Sequence, residues 1–409
     1  MEKVKYLILG AGPSGLTFAN QLKRNGIDSF LVVEMEQEAG GLCRSVMVDG
    51  APLDIGGGHF LDVRKKHVND FLFQFMPQEE WDIYERDSRI VVNGNVINSP
   101  IEANIWQMKL DDQVAYLKSI AVAGCNLQQE KPEKFTEWIY WKLGEKIAKD
   151  YMIPYNQKMF GADLELLGTY WLEKLPDVSF EETLRSCLAH QAYGKQPAHA
   201  KFYYPKQYGY GELWLRMADN VKEHMIYGKK AYSIDCHTKI VKASSDNGDQ
   251  ETFQAEKIIT TIPWTSFEEI VGMPEELLQG IRMLRYSSIQ VEYFPEKIDS
   301  EAHWIYFPAA ELPYHRILVR HNFCPNSKGY WTETNKERIA DRSGKNHFCH
   351  MNEYAYPLNT IDKPQFMEKL LGWSVACGIY GLGRWGEHQH YNSDVVVEKS
   401  LLLSKELLR

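Results

Sequence analysis

With 409 residues, 44% of them hydrophobic and 12% aromatic, the chain can bury a large core and should divide into two or three domains. Its formal charge of -9, without any block of Lys or Arg, argues against a nucleic-acid partner and a polybasic membrane-surface role, since holding a phosphate backbone takes clustered cations, and leaves room only for local basic pockets. No apolar run reaches the roughly 18 residues of a membrane span, and the N-terminus lacks the charged, apolar and small-residue order of a signal peptide, so membrane insertion is not expected and the protein reads as cytoplasmic.

The first predicted element is an apolar strand from Val4, in "VKYLILGAGPSGLTFANQLKRNGIDSFLVVE", followed by a glycine turn, a helix and a second apolar strand ending in an acid. This is a complete βαβ unit. Gly10 allows the tight turn, Gly12 lets backbone approach a pyrophosphate, and Gly15 permits close helix–strand packing. Pro13 and Ser14 open a helix whose free N–H groups and dipole favour an anion. Glu34, ending the second strand, is placed to accept hydrogen bonds from the adenosine ribose. In the next stretch, "EQEAGGLCRSVMVDGAPLDIGGGHF", a plain NAD domain would continue with further βα units. Here Gly40, Gly41 and Leu42 form a second close-approach turn, Arg44 supplies a cation for the same pyrophosphate, and two strands joined at "VDGA" lead into Gly56, Gly57, Gly58 and His59.

Between Ile101 and Pro176 strand patterns nearly vanish and aromatics recur at helical steps, which predicts an inserted helical domain with Phe135, Trp138, Ile139 and Leu143 as its core stripe. "KFYYPKQYGYGELWLRMADNV" then reads as a loop entering a helix, and "FQAEKIITTIPW" as a buried strand back in the nucleotide domain. From Ser287 to Tyr356, alternating runs such as "HWIYFP" and "HRILVRHNF" predict antiparallel strands with one apolar face and one carrying Tyr, His and Arg. The C-terminal "GIYGLGRWGEHQHYNSDVVVEKSLLLSKELLR" predicts a strand, a loop and a helix capped by Asn392 or Ser393 with Asp394 in its first turn. The seven cysteines are odd in number, scattered and free of any CxxC pair, which suggests neither a disulfide framework nor a zinc site.

The GAGPSG turn, "GGLCR" and "DIGGGHF" resemble the flavoproteins that include amine oxidases, protoporphyrinogen oxidase and the pyranose–furanose sugar mutases. Further blocks, "EWIYWKLGEKIAKDYMIPYNQKMF", "GYGELW", "WIYFPAAELPYHR", "EYAYP" and "GRWGEHQHYNSD", narrow the resemblance to the UDP-galactopyranose mutase-like family. The resemblance implies an α/β fold: a Rossmann-like FAD-binding domain with an inserted helical domain and an antiparallel β-sheet substrate domain. The expected boundaries are 1–80, 186–280 and 369–409 for the FAD-binding parts, 81–100 for a hairpin of the substrate sheet, 101–185 for the helical insert and 281–368 for the substrate sheet.

The resemblance further implies FAD, active in the reduced form with NAD(P)H or a reductase as electron source, and a nucleoside-diphosphate sugar as substrate. Reduced flavin N5 would attack the anomeric carbon, hold the opened sugar as an adduct and let another hydroxyl close the new ring. The implied cofactor residues are Gly10, Gly12, Pro13, Ser14, Gly15, Glu34, Gly41, Leu42, Arg44, Gly57, Gly58, His59, Arg384, Asn392, Ser393 and Asp394. His59, over the flavin, and Arg316 would be catalytic, and Tyr306, Arg316, Tyr354, Tyr356, His390 and Tyr391 would hold the substrate. Tyr306 and Arg316 lie ten apart across a predicted hairpin, as the family's tyrosine–arginine pair does. The chain departs from the family pattern in three ways: His390 stands in place of a tyrosine, Phe323 in place of another, and the second arginine has no convincing equivalent, "KFYYPK" offering Lys201 and Lys206 instead. UDP-galactose is the default substrate, and other sugars or nucleotides fit equally. An FAD-dependent oxidoreductase of the amine oxidase or protoporphyrinogen oxidase type is the alternative, a catalytically silent flavoprotein scaffold is a third reading, and a homo-oligomer is compatible with all three.

Overall fold

The computed structural model describes residues 2–172, 177–194, 200–339 and 348–408. Pro176, the expected end of the helical stretch, and Arg409, the expected end of the last segment, lie outside the described residues.

Leu7, Ile8 and Leu9 are buried on both faces of the strand Glu2–Leu9, the pattern of a central parallel strand. It pairs in parallel with Phe30–Val33 on one side and Gln250–Thr260 on the other. Met225–Ile226 and Ile379–Gly381 add further parallel strands, while Ile240–Ser244 and Lys230–Asp235 continue the sheet antiparallel and Glu269–Val271 closes it. One mixed sheet is thus built from distant parts of the chain. The helix Pro13–Arg24 packs beneath it against the C-terminal helix Ser393–Leu407.

A second sheet runs Cys349–Pro357, Tyr286–Phe294, Tyr330–Asn335, Arg316–Val319, Trp304–Tyr306, Ser88–Val92 and Asn95–Asn98 in spatial order. Its pairs are antiparallel except Trp304–Tyr306 with Ser88–Val92. Of the expected 81–100 hairpin, only the part from Ser88 onward joins this sheet. Trp81–Glu85 pairs with Lys201–Pro205 in a separate three-stranded sheet, where Tyr84 stacks on Phe202. The α/β fold expected from the sequence, with its helical insert and largely antiparallel second sheet, is the one observed.

The insert comprises Leu110–Ala121, Phe135–Ile147, Ile153–Phe160 and Phe180–Ala189, and its stripe of Phe135, Trp138, Ile139 and Leu143 is buried. Gly144 leaves the helical region (φ 74°), and only glycine fits there, since a Cβ would lie 2.4 Å from the Ser119 carbonyl oxygen. The chain then widens into a π-helical turn, Ala148–Met152. Just beyond that turn, the Tyr155 ring stands edge-on to Tyr306 at 5.5 Å. Among the described residues no helix is long and apolar enough to cross a membrane.

Candidate functional site

The glycines of the first turn divide by what surrounds them. A Cβ on Gly10 would lie 2.5 Å from Thr261 Oγ1 and one on Gly15 2.0 Å from the Gly10 carbonyl oxygen, so both glycines are required by the fold itself. Gly12 differs: its Cβ would meet only the Gly41 Cα, at 4.0 Å. Two bare backbones, Gly12 and Gly41, therefore face each other at the N-terminus of a 12-residue helix, which is the cradle a pyrophosphate needs. Pro13 occupies the first turn of that helix, and Ser14 is covered by Gly383, whose Cβ would fall 1.9 Å from Ser14 Oγ.

Glu34 is 5% exposed, and its carboxylate accepts the Ala11 N–H at 2.7 Å and the Glu36 N–H at 3.0 Å. Burial pushes its carboxyl up, and these two backbone bonds pull it back down. Each oxygen keeps acceptor capacity for a ribose hydroxyl. Arg44 is held by Glu36 at 3.0 Å and by the Gly41 carbonyl at 3.2 Å, which orients its guanidinium beside the second turn. These residues fit a dinucleotide cofactor.

At the glycine run, a Cβ on Gly56 would lie 1.8 Å from the Leu42 carbonyl oxygen, one on Gly57 2.6 Å from Glu333 Oε1, and one on Gly58 2.2 Å from Leu318 Cδ2. The protein's own packing is enough to demand glycine there, a cause the sequence did not display. His59 Nδ1 meets the Gly57 carbonyl at 3.1 Å. A carbonyl can only accept, so Nδ1 carries the proton and Nε2 keeps its lone pair. Burial, reinforced by Arg384, pushes the imidazole down to about 3 and keeps it neutral.

Arg384 is tied by the carbonyls of Tyr391, at 2.7 and 3.0 Å, and Ala355, at 3.1 Å. Asn392 occupies the N-cap of the last helix without the side-chain cap bond expected there, and Ser393 is the first residue of the helix. The Ser393 hydroxyl is 2.7 Å from that of Tyr210. Asp394 is buried with Lys65 Nζ 3.8 Å away.

On the second sheet Tyr306 lies directly opposite Arg316, and Arg316 opposite Glu333. Arg316 Nη2 is 2.7 Å from Glu333 Oε2 and donates to the Tyr356 hydroxyl at 3.2 Å, while its buried Nε–H has no hydrogen-bond partner among the described residues. The His390 ring lies 4.9 Å from that of Tyr356. Tyr354 is turned elsewhere, against Tyr286 at 4.5 Å and Trp385 at 5.3 Å. Tyr391 accepts Arg384 through its backbone carbonyl, and its ring packs under Lys399 at 4.8 Å.

The two lysines offered in place of a second arginine are engaged at a sheet edge, Lys201 with Glu85 at 2.8 Å and Lys206 with the Glu79 carbonyl at 2.8 Å. The second cation beside Tyr306 is instead Arg86, whose Nη2 donates to the Tyr306 hydroxyl at 2.7 Å and whose guanidinium lies 4.6 Å from the Trp304 ring. Phe323 is buried among Phe60, Tyr204 and Trp331. Lys158 was also not anticipated: buried, it donates to the carbonyls of Phe307 at 2.7 Å and Ala309 at 2.8 Å, clamping the turn between Tyr306 and Arg316. Strand alternation in "YWTETN" could have marked Glu333 as facing Arg316; nothing local marks Arg86.

The sequence pattern of the flavin containing amine oxidoreductase family matches residues 13–291. A UDP-galactopyranose mutase of Mycoplasma pneumoniae is 23% identical over the whole chain and 97% of its own length. The crystal structure of a reduced UDP-galactopyranose mutase superposes with a TM-score of 0.88 at 22% identity, covering 100% of this chain and 94% of that one. A putative protoporphyrinogen oxidase from Exiguobacterium sp. 255-15 gives 0.70 at 13% identity, covering 100% and 98%. The resemblance read from the sequence is borne out, and the likeness of these structures establishes the fold.

Proposed function

The chain belongs to the flavin containing amine oxidoreductase family, and on that premise we propose that it is a nucleotide-sugar mutase, interconverting the pyranose and furanose forms of UDP-galactose or a related nucleoside-diphosphate sugar in the cytoplasm. One observation carries this reading: a partly buried arginine with a spare N–H, Arg316, stands among the hydroxyls of Tyr306 and Tyr356 with Arg86 behind, on the sheet face that meets the glycine run. Such a surface suits a diphosphate rather than the apolar substrates usual for flavin oxidases.

FAD, held by the Gly12–Gly41 cradle and Glu34, supplies when bound and reduced the nucleophile for the anomeric carbon. Arg316 and the two tyrosines retain the detached diphosphate so that it can rejoin the sugar. Glu333 fixes the Arg316 fork, and neutral His59 offers Nε2 as acceptor for a sugar hydroxyl. No net oxidation occurs, so the reductant, NAD(P)H or a separate reductase, is needed to prime the enzyme and not once per turnover. Incubating dithionite-reduced protein with a panel of nucleotide sugars, resolved by chromatography, tests the reading: a new isomeric product of unchanged mass is expected. The family and the protoporphyrinogen oxidase-like fold favour oxidoreductase chemistry as the second reading. Stoichiometric loss of NAD(P)H or dioxygen during turnover would select it.

A further inference from the structure

Asp54 ends the strand Ala51–Asp54, is 0% exposed, and has no cation within ion-pair distance among the described residues. Burying a carboxyl without a cation is costly and survives only where its hydrogen bonds are needed. Donors from separate parts of the chain converge on it. Its Oδ1 accepts from the Ser45 hydroxyl at 2.5 Å and the Tyr210 N–H at 3.3 Å, and its Oδ2 from the Tyr204 hydroxyl at 3.1 Å. Its backbone carbonyl accepts the Gly57 N–H at 3.1 Å and so opens the turn that carries His59.

Ser45 passes the connection on, its hydroxyl accepting the Gly211 N–H at 2.8 Å. Tyr210 reaches Ser393 at the start of the C-terminal helix, and its ring lies nearly parallel to that of His59, 6.4 Å away. The titratable groups facing Asp54 are the phenols of Tyr204 and Tyr210 and the thiols of Cys43 and Cys324, all pushed upward chiefly by burial and so neutral. The nearby Arg320 spends its guanidinium on the carbonyls of Val48, Ala51 and Lys328 and on Tyr293.

We propose that Asp54 is a positioning residue for the flavin: by gathering Ser45, Tyr204 and Tyr210 onto one buried carboxyl, it sets the Gly56–His59 turn, Tyr210 and the Ser393 helix end in the mutual register to which the ring system binds. Burial raises this carboxyl to about 7, and the hydrogen bonds from Ser45, the Tyr210 N–H and Tyr204 pull against that rise. The inference rests on flavin binding alone and is independent of the mutase reading.

The test uses the full chain stripped of flavin and titrated with FAD. Asp54→Asn replaces one acceptor by a donor that faces a donor, and should weaken FAD binding by roughly ten- to a hundredfold and alter the visible absorption bands of the flavin that remains bound. Ser45→Ala, which removes only the relay, should weaken it by about three- to tenfold. A merely structural role would lower the melting temperature of the apoprotein and leave the affinity and the bound spectrum unchanged. Wild-type FAD affinity and spectrum in both variants would overturn the proposal. Should Asp54→Asn fail to fold, Ser45→Ala and Tyr204→Phe decide by the same criterion. A wild-type chain that binds no FAD would sink the flavin premise and the proposal together, whereas a flavoprotein without mutase activity would leave the proposal standing.

Discussion

Replacing Arg316 by Ala removes two interactions that can be measured apart. Toward the proposed substrate it deletes the fixed charge and an Nε–H that has no partner among the described residues. A charged hydrogen bond contributes about 1.5–3 kcal/mol, and with 1.36 kcal/mol per tenfold the affinity of the reduced protein for UDP should fall by roughly ten- to a hundredfold. Toward the protein it strips Glu333, 1% exposed, of the guanidinium 2.7 Å away. Breaking a buried pair from one side costs about 3–5 kcal/mol, so the single variant should also melt at lower temperature. Arg316→Ala with Glu333→Gln removes the stranded charge: stability should largely return while UDP affinity stays low. Arg316→Lys should recover affinity only in part, because an ammonium cannot reproduce the bidentate fork. Calorimetric titration with UDP, alongside thermal melts and a flavin absorbance measurement, reads all three. Equal UDP affinity in wild type and in the double variant would refute the assignment of Arg316 to the diphosphate.

Gly12→Ala should keep the melting temperature of the apoprotein and abolish FAD retention, since its Cβ meets only Gly41, whereas Gly15→Ala should destabilise the fold itself by driving a Cβ into the Gly10 carbonyl; absorbance at the flavin band and apoprotein melts separate the two. Glu34→Ala should weaken FAD binding by about tenfold or more, read by fluorescence titration of the apoprotein. Lys158→Met should raise KM for the nucleotide sugar several-fold with flavin content unchanged, because the turn between Tyr306 and Arg316 loses its clamp. His388 is buried, its Nε2 3.0 Å from the Arg285 carbonyl oxygen, and burial holds it down at about 3. Below its ordinary value of 6.5 the unfolded chain binds a proton that the folded chain refuses, so stability should fall as pH drops from 6.5 toward 3, by at most about 1.4 kcal/mol per unit. Urea midpoints at pH 5 and 7.5 should differ less in His388→Gln than in wild type.

The nucleotide turn was legible because its logic is local: Gly10, Gly12, Gly15 and Glu34 act within one βαβ unit, so spacing alone carries the information. Strand alternation carried Tyr306 and Arg316 to one face for the same reason. Arg86 and Glu333 were not legible, since their meaning arises only when strands far apart in sequence are laid side by side. Lys201 and Lys206, which stand where a second arginine is usual, do not take its place: the register of Lys201–Pro205 with Trp81–Glu85 turns both toward surface partners. Tyr354 and Tyr356 share a strand, yet only Tyr356 reaches Arg316, because Tyr354 is captured by Tyr286 and Trp385.

The parallel pairing of Glu2–Leu9 with Gln250–Thr260, and of Ser88–Val92 with Trp304–Tyr306, bears on how the protein is made. During synthesis the first strand emerges long before its central partner, and the early hairpin waits for some two hundred further residues before the second sheet can take it up. Until then Leu7, Ile8 and Leu9 line an open strand edge, the kind of surface on which nascent chains aggregate or recruit chaperones. Arg384 and Ser393 lie later still in the chain, so the surroundings proposed for the flavin would be completed only after the strands of both sheets have been made.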